Sequence, residues 1–225
     1  MNELAIFAGS GCGLLATAAL GWTTICAVEL DWYCRCLLTQ RQIDGVLRPF
    51  PIWDDVCTFD GRPWRGRVDV VSGGFPCQAY STAAAGRNVA DDLWPEMRRV
   101  VADVAPRYVF AENVSATAIE QAAQDLCAMG YQADMLPLSA QDVGADHFRE
   151  RYWLLAYSDD KSQLRGTVNA KMAGMQKFSD RLWETGPCQS GVDDGTAARM
   201  ERYSAIGNGQ MPVVAAAALW TLANA

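Results

Sequence analysis

The residues best suited to chemistry begin at Gly73-Gly74-Phe75-Pro76-Cys77-Gln78. A cysteine just past an apolar strand (residues 68–72) lies in the crevice where open α/β sheets bind ligands. The two glycines and the proline fix an unusual backbone path, and thiolate is the strongest nucleophile a protein carries at neutral pH. Inert packing is the alternative for any single cysteine, but this peptide favours the nucleophile. Glu112-Asn113-Val114 directly follows the apolar run 108–111, a poor place for a solvated charge. Its carboxylate is either an acid–base group or a strand end satisfied by backbone donors. Arg149 and Arg151 share one strand face by two-residue alternation, which suits surface ion pairs or contacts to phosphates and base carbonyls. In Phe7-Ala8-Gly9-Ser10-Gly11-Cys12-Gly13 the glycines let a strand-to-helix turn approach a ligand, or simply make a tight turn. Glu29, one strand later, stands where nucleotide-binding sheets hold ribose hydroxyls. The glycine spacing does not fit the Gly-x-Gly-x-x-Gly of dehydrogenases.

The elements that must position these residues are legible as apolar runs. Residues 4–8, 23–28, 68–72, 108–111 and 152–157 read as strands, and 14–20, 93–104 and 213–222 as helices. Strands apolar throughout, alternating with helices, predict a mostly parallel sheet covered on both faces. From 158 to 200 polar and small residues dominate without a sustained period. This predicts a loop-rich insertion with one short helix around 171–182.

The 225 residues, half of them apolar or aromatic, suffice for one well-formed core. A net charge of −7 does not advertise a nucleic-acid binder, because such affinity comes mostly from Lys and Arg meeting phosphates. The charges are uneven: 18 acids and 10 bases in residues 1–146, against 8 and 9 in 147–225. Any DNA face would therefore be built from the second stretch. Eight cysteines with no Cys-x-x-Cys and a single histidine, His147, predict free, mostly buried thiols rather than a metal site. The start lacks a basic signal segment and the apolar stretch 211–222 is too short to span a bilayer, so a cytoplasmic location is expected.

Taken in order, these segments resemble the sequence blocks of the DNA cytosine-5 methyltransferase family. Gly73 to Gln78, followed by Ser81, is similar to its catalytic block, and Glu112-Asn113-Val114 to the next. Phe7-Ala8-Gly9-Ser10-Gly11 and Glu29 are similar to the cofactor blocks. Asp142-Val143-Gly144 with Arg149-Glu150-Arg151 resembles the block that closes over the target base, and Gly207-Asn208-Gly209-Gln210-Met211-Pro212 the C-terminal one. The resemblance covers most of residues 4–157 and 202–222. It implies an α/β, Rossmann-like S-adenosylmethionine-dependent methyltransferase fold with a small loop-rich insertion. Residues 1–157 would form the catalytic and cofactor domain, 158–201 a reduced target-recognition insertion, and 202–225 the segment completing the catalytic domain.

The implied reaction moves a methyl group from S-adenosylmethionine, leaving S-adenosylhomocysteine, to carbon 5 of a cytosine flipped out of duplex DNA. The resemblance assigns Cys77 to covalent addition at carbon 6, Glu112 to ring nitrogen 3 and the exocyclic amine, Arg151 to the base carbonyl and Arg149 to the catalytic loop. It puts Phe7 against adenine, Glu29 on the ribose, Asp55 (or its neighbour Asp54) on the adenine amine, and Leu93 and Asn208 around the rest. Ala8, Gly9, Gly11 and Pro76 complete that pocket. Gln78 and Ser81 would face DNA, with Arg165, Asn169, Lys171, Lys177 and Arg181 of the insertion as DNA contacts or merely solvated charges. Ala5, Asp146 and His147 depart from residues common in the family, at places away from Cys77 and Glu112. Only about 44 residues lie between the last two blocks, which predicts a short or relaxed recognition site. The implied setting is a bacterial or phage-derived restriction–modification enzyme, monomeric on DNA, metal-free and off the membrane, with an accessory partner as one option. An RNA cytosine methyltransferase and a non-catalytic binding protein on the same fold are the alternatives.

Overall fold

In this computed structural model the described residues are 1–76, 92–175 and 209–225. Seven strands form one sheet: β1 (Asn2–Ile6), β2 (Thr23–Val28), β3 (Ile52–Trp53), β4 (Val70–Gly74), β5 (Tyr108–Asn113), β6 (Gln132–Ser139) and β7 (Glu150–Tyr157), in the order β3-β2-β1-β4-β5-β7-β6. The ladder is parallel from β3 to β5, while β7 runs antiparallel to both β5 and β6. Strand β5 is buried at all six positions, as a strand covered on both faces must be.

Helices cover both faces. On one face α3 (Trp94–Val104) presents Trp94, Met97, Val100, Val101 and Val104 as a continuous apolar stripe, beside α4 (Ala116–Ala128). Proline at its first turn fits α3, since that N–H has no partner within a helix. Helix α4 starts at Ser115, whose hydroxyl accepts from Ala118 N at 3.3 Å. On the other face α1 (Cys12–Ala19), α5 (Ser162–Met175) and α6 (Pro212–Asn224) pack on Val70, Phe110, Trp153 and Leu155. Helix α2 (Trp32–Ile43) is capped by Asp31, whose carboxylate accepts from Cys34 N at 2.8 Å.

Three sequence expectations need correction. The stretch expected as loop from 158 holds α5, which begins nine residues earlier than the short helix expected near 171. Its apolar residues are sparse, but Leu164 and Val168 are one turn apart and fully buried, each burial adding roughly 1.5–3 kcal/mol. Strand β6 is an edge strand with alternating exposure and a proline at 137, so it shows no apolar run. Six cysteines fall among the described residues and all are free, yet only Cys26 and Cys34 are buried; Cys36, Cys57 and Cys127 are exposed. Among the described residues no helix is long and apolar enough to cross a membrane, and no group of side chains could hold a metal.

Candidate active site

The carboxyl ends of β1, β4 and β5 open on one cleft, bordered also by Gly209 and Gln210 ahead of α6. Strand β1 leaves the sheet through Phe7 at φ 55°, a left-handed conformation uncommon for a bulky side chain. Gly9 (φ 54°) and Gly11 (φ 81°) continue the same turn, and Gly11 begins α1. A Cβ on Gly9 would meet no atom within 4 Å, so this edge of the loop is open to a ligand. Glu29 fixes the loop from the neighbouring strand: its Oε2 accepts from Gly9 N at 2.6 Å and its Oε1 from Asp31 N at 2.8 Å. Burial raises the Glu29 pKa, and these backbone donors oppose the rise.

The β4 end is built for close approach. A Cβ on Gly73 would collide with the Ile6 carbonyl, and one on Gly74 would come within 2.6 Å of Glu112 Oε2. Asn113 Nδ2 donates to the Phe75 carbonyl at 2.8 Å, tying the Gly-Gly-Phe-Pro path to β5. The Phe75 ring packs on Trp94 with centroids 5.1 Å apart. The path leads to Cys77, which lies outside the described residues, as do Gln78, Ser81, Lys177, Arg181 and Asn208.

Glu112 lies within this cleft, 7% exposed. Arg151 Nε stands 3.0 Å from its Oε1, and Gln210 Nε2 donates to its Oε2 at 3.4 Å. Burial raises the Glu112 pKa most; the Arg151 charge, the Gln210 hydrogen bond and the Arg149 charge all pull the other way. Arg149 Nη2 donates to the Gly209 carbonyl at 2.9 Å, joining the start of β7 to the approach to α6. Burial and the neighbouring Arg151 charge lower the Arg149 pKa. Burial also pushes the Cys26 thiol up to about 11 and the Cys34 thiol up to about 12, which makes both poor nucleophiles at neutral pH.

The structure thus brings together Phe7, Ala8, Gly9, Glu29, Glu112, Arg149 and Arg151, with Gly11 at the head of α1 and half-buried Pro76 at the β4 exit. Asp55 follows β3, and one carboxylate oxygen accepts from Cys57 N at 2.9 Å. Leu93, half-buried, precedes α3. The insertion residues stand elsewhere. Arg165 Nε donates to the Ala223 carbonyl at 3.1 Å, Asn169 pairs with Asn224, and the Lys171 side chain lies against Gly21, between α1 and β2. All three sit toward the amino ends of the strands, away from the Gly9 turn and Glu112.

Sequence reasoning missed Asn113 and Gln210 as individual contributors, and it missed Glu3. Glu3 is wholly buried on the face of β1 that also carries Ala5. Its Oε1 accepts from Ser72 at 2.6 Å, and its Oε2 from Thr17 at 2.8 Å and Thr24 at 2.9 Å. Trp53, 47% exposed, is a further omission: its carbonyl accepts from Glu29 N, placing an aromatic ring beside that carboxylate's strand.

The Type II methyltransferase M.Eco47II of Escherichia coli is 34% identical over 119 residues, covering 49% of this chain and 26% of that protein. The Type II methyltransferase M.CviJI of Paramecium bursaria Chlorella virus IL3A is 25% identical over 198 residues, covering 82% of this chain and 50% of that one. The chain therefore spans half the length or less of these two relatives. In fold it is similar to the Dnmt2 methyltransferase of S. pombe, with a TM-score of 0.55 and 18% identity over 70% of this chain and 50% of that one. The family description "C-5 cytosine-specific DNA methylase" matches residues 1–200. Because that match runs unbroken from the glycine turn through the Glu112 and arginine strands, this chain belongs to the C-5 cytosine-specific DNA methylase family.

Proposed function

We propose that this chain is a DNA cytosine-5 methyltransferase that uses S-adenosylmethionine to methylate a cytosine flipped out of duplex DNA. The observation that carries the reading is the Glu112–Arg151 pair, buried at the mouth of a glycine-lined cleft beside the path to Cys77. The cofactor supplies an electrophilic methyl group. The cleft suits it: the loop edge at Gly9 is open, Glu29 keeps lone pairs for ribose hydroxyls, and carboxylates favour a cationic ligand. Phe7 would lie against adenine, with Ala8, Gly11, Pro76, Leu93 and Asn208 around the cofactor and Asp55 on the adenine amine.

Cytosine carbon 5 is a poor nucleophile. Addition of the Cys77 thiolate at carbon 6 pushes electron density to carbon 5 and negative charge toward nitrogen 3. A protonated Glu112 offsets that charge by donating at nitrogen 3, and its raised pKa suits the task. Arg151 holds both Glu112 and the base carbonyl, and Arg149 fixes the strand against the Gly209 turn. After transfer a proton leaves carbon 5 and the thiolate is eliminated. Gln78, Ser81, Lys177 and Arg181 are proposed on the DNA side. The division at 157 and 201 is kept as the functional one, although α5 itself packs on the catalytic core.

Trapping on duplexes containing 5-fluorocytosine tests the reading, because fluorine cannot leave carbon 5 as a cation and elimination is blocked. Wild type should stay covalently attached in the presence of S-adenosylmethionine, and Cys77→Ser should not. Absence of adduct on random-sequence duplexes, with adduct on 5-fluorocytosine RNA, would move the substrate to RNA.

A further inference from the structure

Glu3 is the wholly buried carboxylate for which the proposed reaction has no use. Three elements each turn one hydroxyl to it: Thr17 from α1, Thr24 from β2 and Ser72 from β4, at 2.6–2.9 Å. It also lines the cleft, with Ala5, Gly13, Leu14, Thr17 and Ser72. Glu3 is itself wholly buried, so it would act on an occupant of the cleft as a charge behind the wall and not by contact.

We propose that Glu3 determines cofactor charge specificity: its carboxylate, held by Thr17, Thr24 and Ser72, supplies a negative charge behind the cleft that favours the cationic methyl donor over the neutral product. The inference rests on the proposed use of S-adenosylmethionine. Donor and product differ by one methyl group and one positive charge, so a charge behind the wall separates them where shape barely can. A carboxylate accepts only, and the three hydroxyls can all donate to it, which is the arrangement for the ionised form. The neutral form is also accommodated. Thr17 Oγ1 lies 3.2 Å from the Leu14 carbonyl as well, so it can accept a proton from Glu3 and donate onward. Glu3 can therefore change charge without losing a hydrogen bond.

Burial raises the Glu3 pKa, against the three hydroxyls and the amino-terminal ammonium on its own strand. From α1, β2 and β4 the groups facing it are those uncharged hydroxyls; among the described residues Glu112 is the other carboxylate lining the cleft, and Glu29 holds its Gly9 edge. A cation entering the cleft favours the ionised form, so donor binding releases protons that product binding does not.

Calorimetric titration of wild type and Glu3→Gln with S-adenosylmethionine and S-adenosylhomocysteine tests this. Glutamine keeps the shape and removes the charge. The expected result is about a tenfold loss of donor affinity with less than about a twofold change for product, a size set by one unit charge acting through partly buried protein. Equal change for both ligands, or none, overturns the inference and leaves Glu3 a structural tie. Repeating wild-type titrations in buffers of different ionisation enthalpy needs no variant: donor and product should release different numbers of protons, and equal release overturns the inference. Wild type that binds neither ligand would instead refute the cofactor reading on which it stands.

Discussion

The two ends of the sheet are made differently. At the amino ends the polar groups tie helices together: Lys161 reaches Asp134 at 2.7 Å and the Leu222 carbonyl at 3.0 Å, and Arg165 caps the last turn of α6. These contacts surround fully buried Leu164, Val168 and Tyr108, and each contributes to keeping the chain folded. At the carboxyl ends the same sheet holds a left-handed Phe7 and two glycines whose Cβ positions are already taken. It also carries Glu29 and Glu112, whose ionisation burial opposes. That end departs from what stability alone would select, and such departures collect where a site needs them. The contrast bears on charge: Arg165 and Lys171, expected as DNA contacts or solvated charges, lie against Ala223 and Gly21.

The largest expected effect breaks this contrast at the carboxyl end. Glu112→Gln should lower the methyl-transfer rate by about 10²–10⁴-fold, the range for losing a positioned acid. Its melting temperature should hold or rise, because a buried carboxylate is replaced by a neutral group of equal size. Rate and thermal unfolding measured on the same preparation decide it, and a variant that unfolds early without a rate loss would count against the reading. The converse belongs at the amino end. Leu164→Ala should destabilise by about 2–5 kcal/mol in denaturant unfolding. Cofactor affinity, measured where the variant is folded, should not change. Loss of cofactor affinity there would show that the two ends are not separable.

How much of this was legible depends on whether a residue's partners are near in sequence. Strand β2 spans Thr23–Val28 as its apolar run predicts, and β1, α1, β4, α3 and β5 stand where the apolar runs put them, while α2 and the two-residue β3 have no such run. Phe7, Glu29, Glu112, Arg149 and Arg151 can be singled out from sequence because strand ends can be read locally. Helix α5 was missed because Gly166, Thr167 and Asn169 dilute it, although Leu164, Val168 and Met172 recur at four-residue spacing. Glu3 was not readable: its donors come from three elements, the farthest 69 residues away, and only folding brings them together. Gln210 meets Glu112 across 98 residues, which no local pattern announces.

A smaller effect sharpens the assignment of charge. Arg165→Ala removes the donor to the Ala223 carbonyl and should cost about 0.5–1.5 kcal/mol of stability. The slope of log affinity for DNA against log salt should stay unchanged, because a side chain that meets no phosphate releases no counterion. A shallower slope would return Arg165 to the DNA face.

The smallest effect separates Glu3 from Arg165 by pH. Glu3 in the folded chain holds its proton above the ordinary glutamate value of 4.5. A raised folded pKa means the folded state binds more protons than the unfolded one. Its stabilising contribution is full below the unfolded value and is lost as pH rises through the folded one. Glu3→Gln does not titrate, so its melting temperature should gain on wild type progressively from about pH 4.5 upward. Glu29 and Glu112 shift in the same direction, and exposed Asp60, Asp142 and Asp160 in the other, but both proteins share them and they cancel in the difference. Arg165→Ala, at the amino end, should differ from wild type by an amount independent of pH. Scanning calorimetry from pH 4 to 8 reads both differences. A flat Glu3→Gln difference would mean that Glu3 keeps one charge state throughout, and the charge-changing carboxylate behind the cleft would be lost with it.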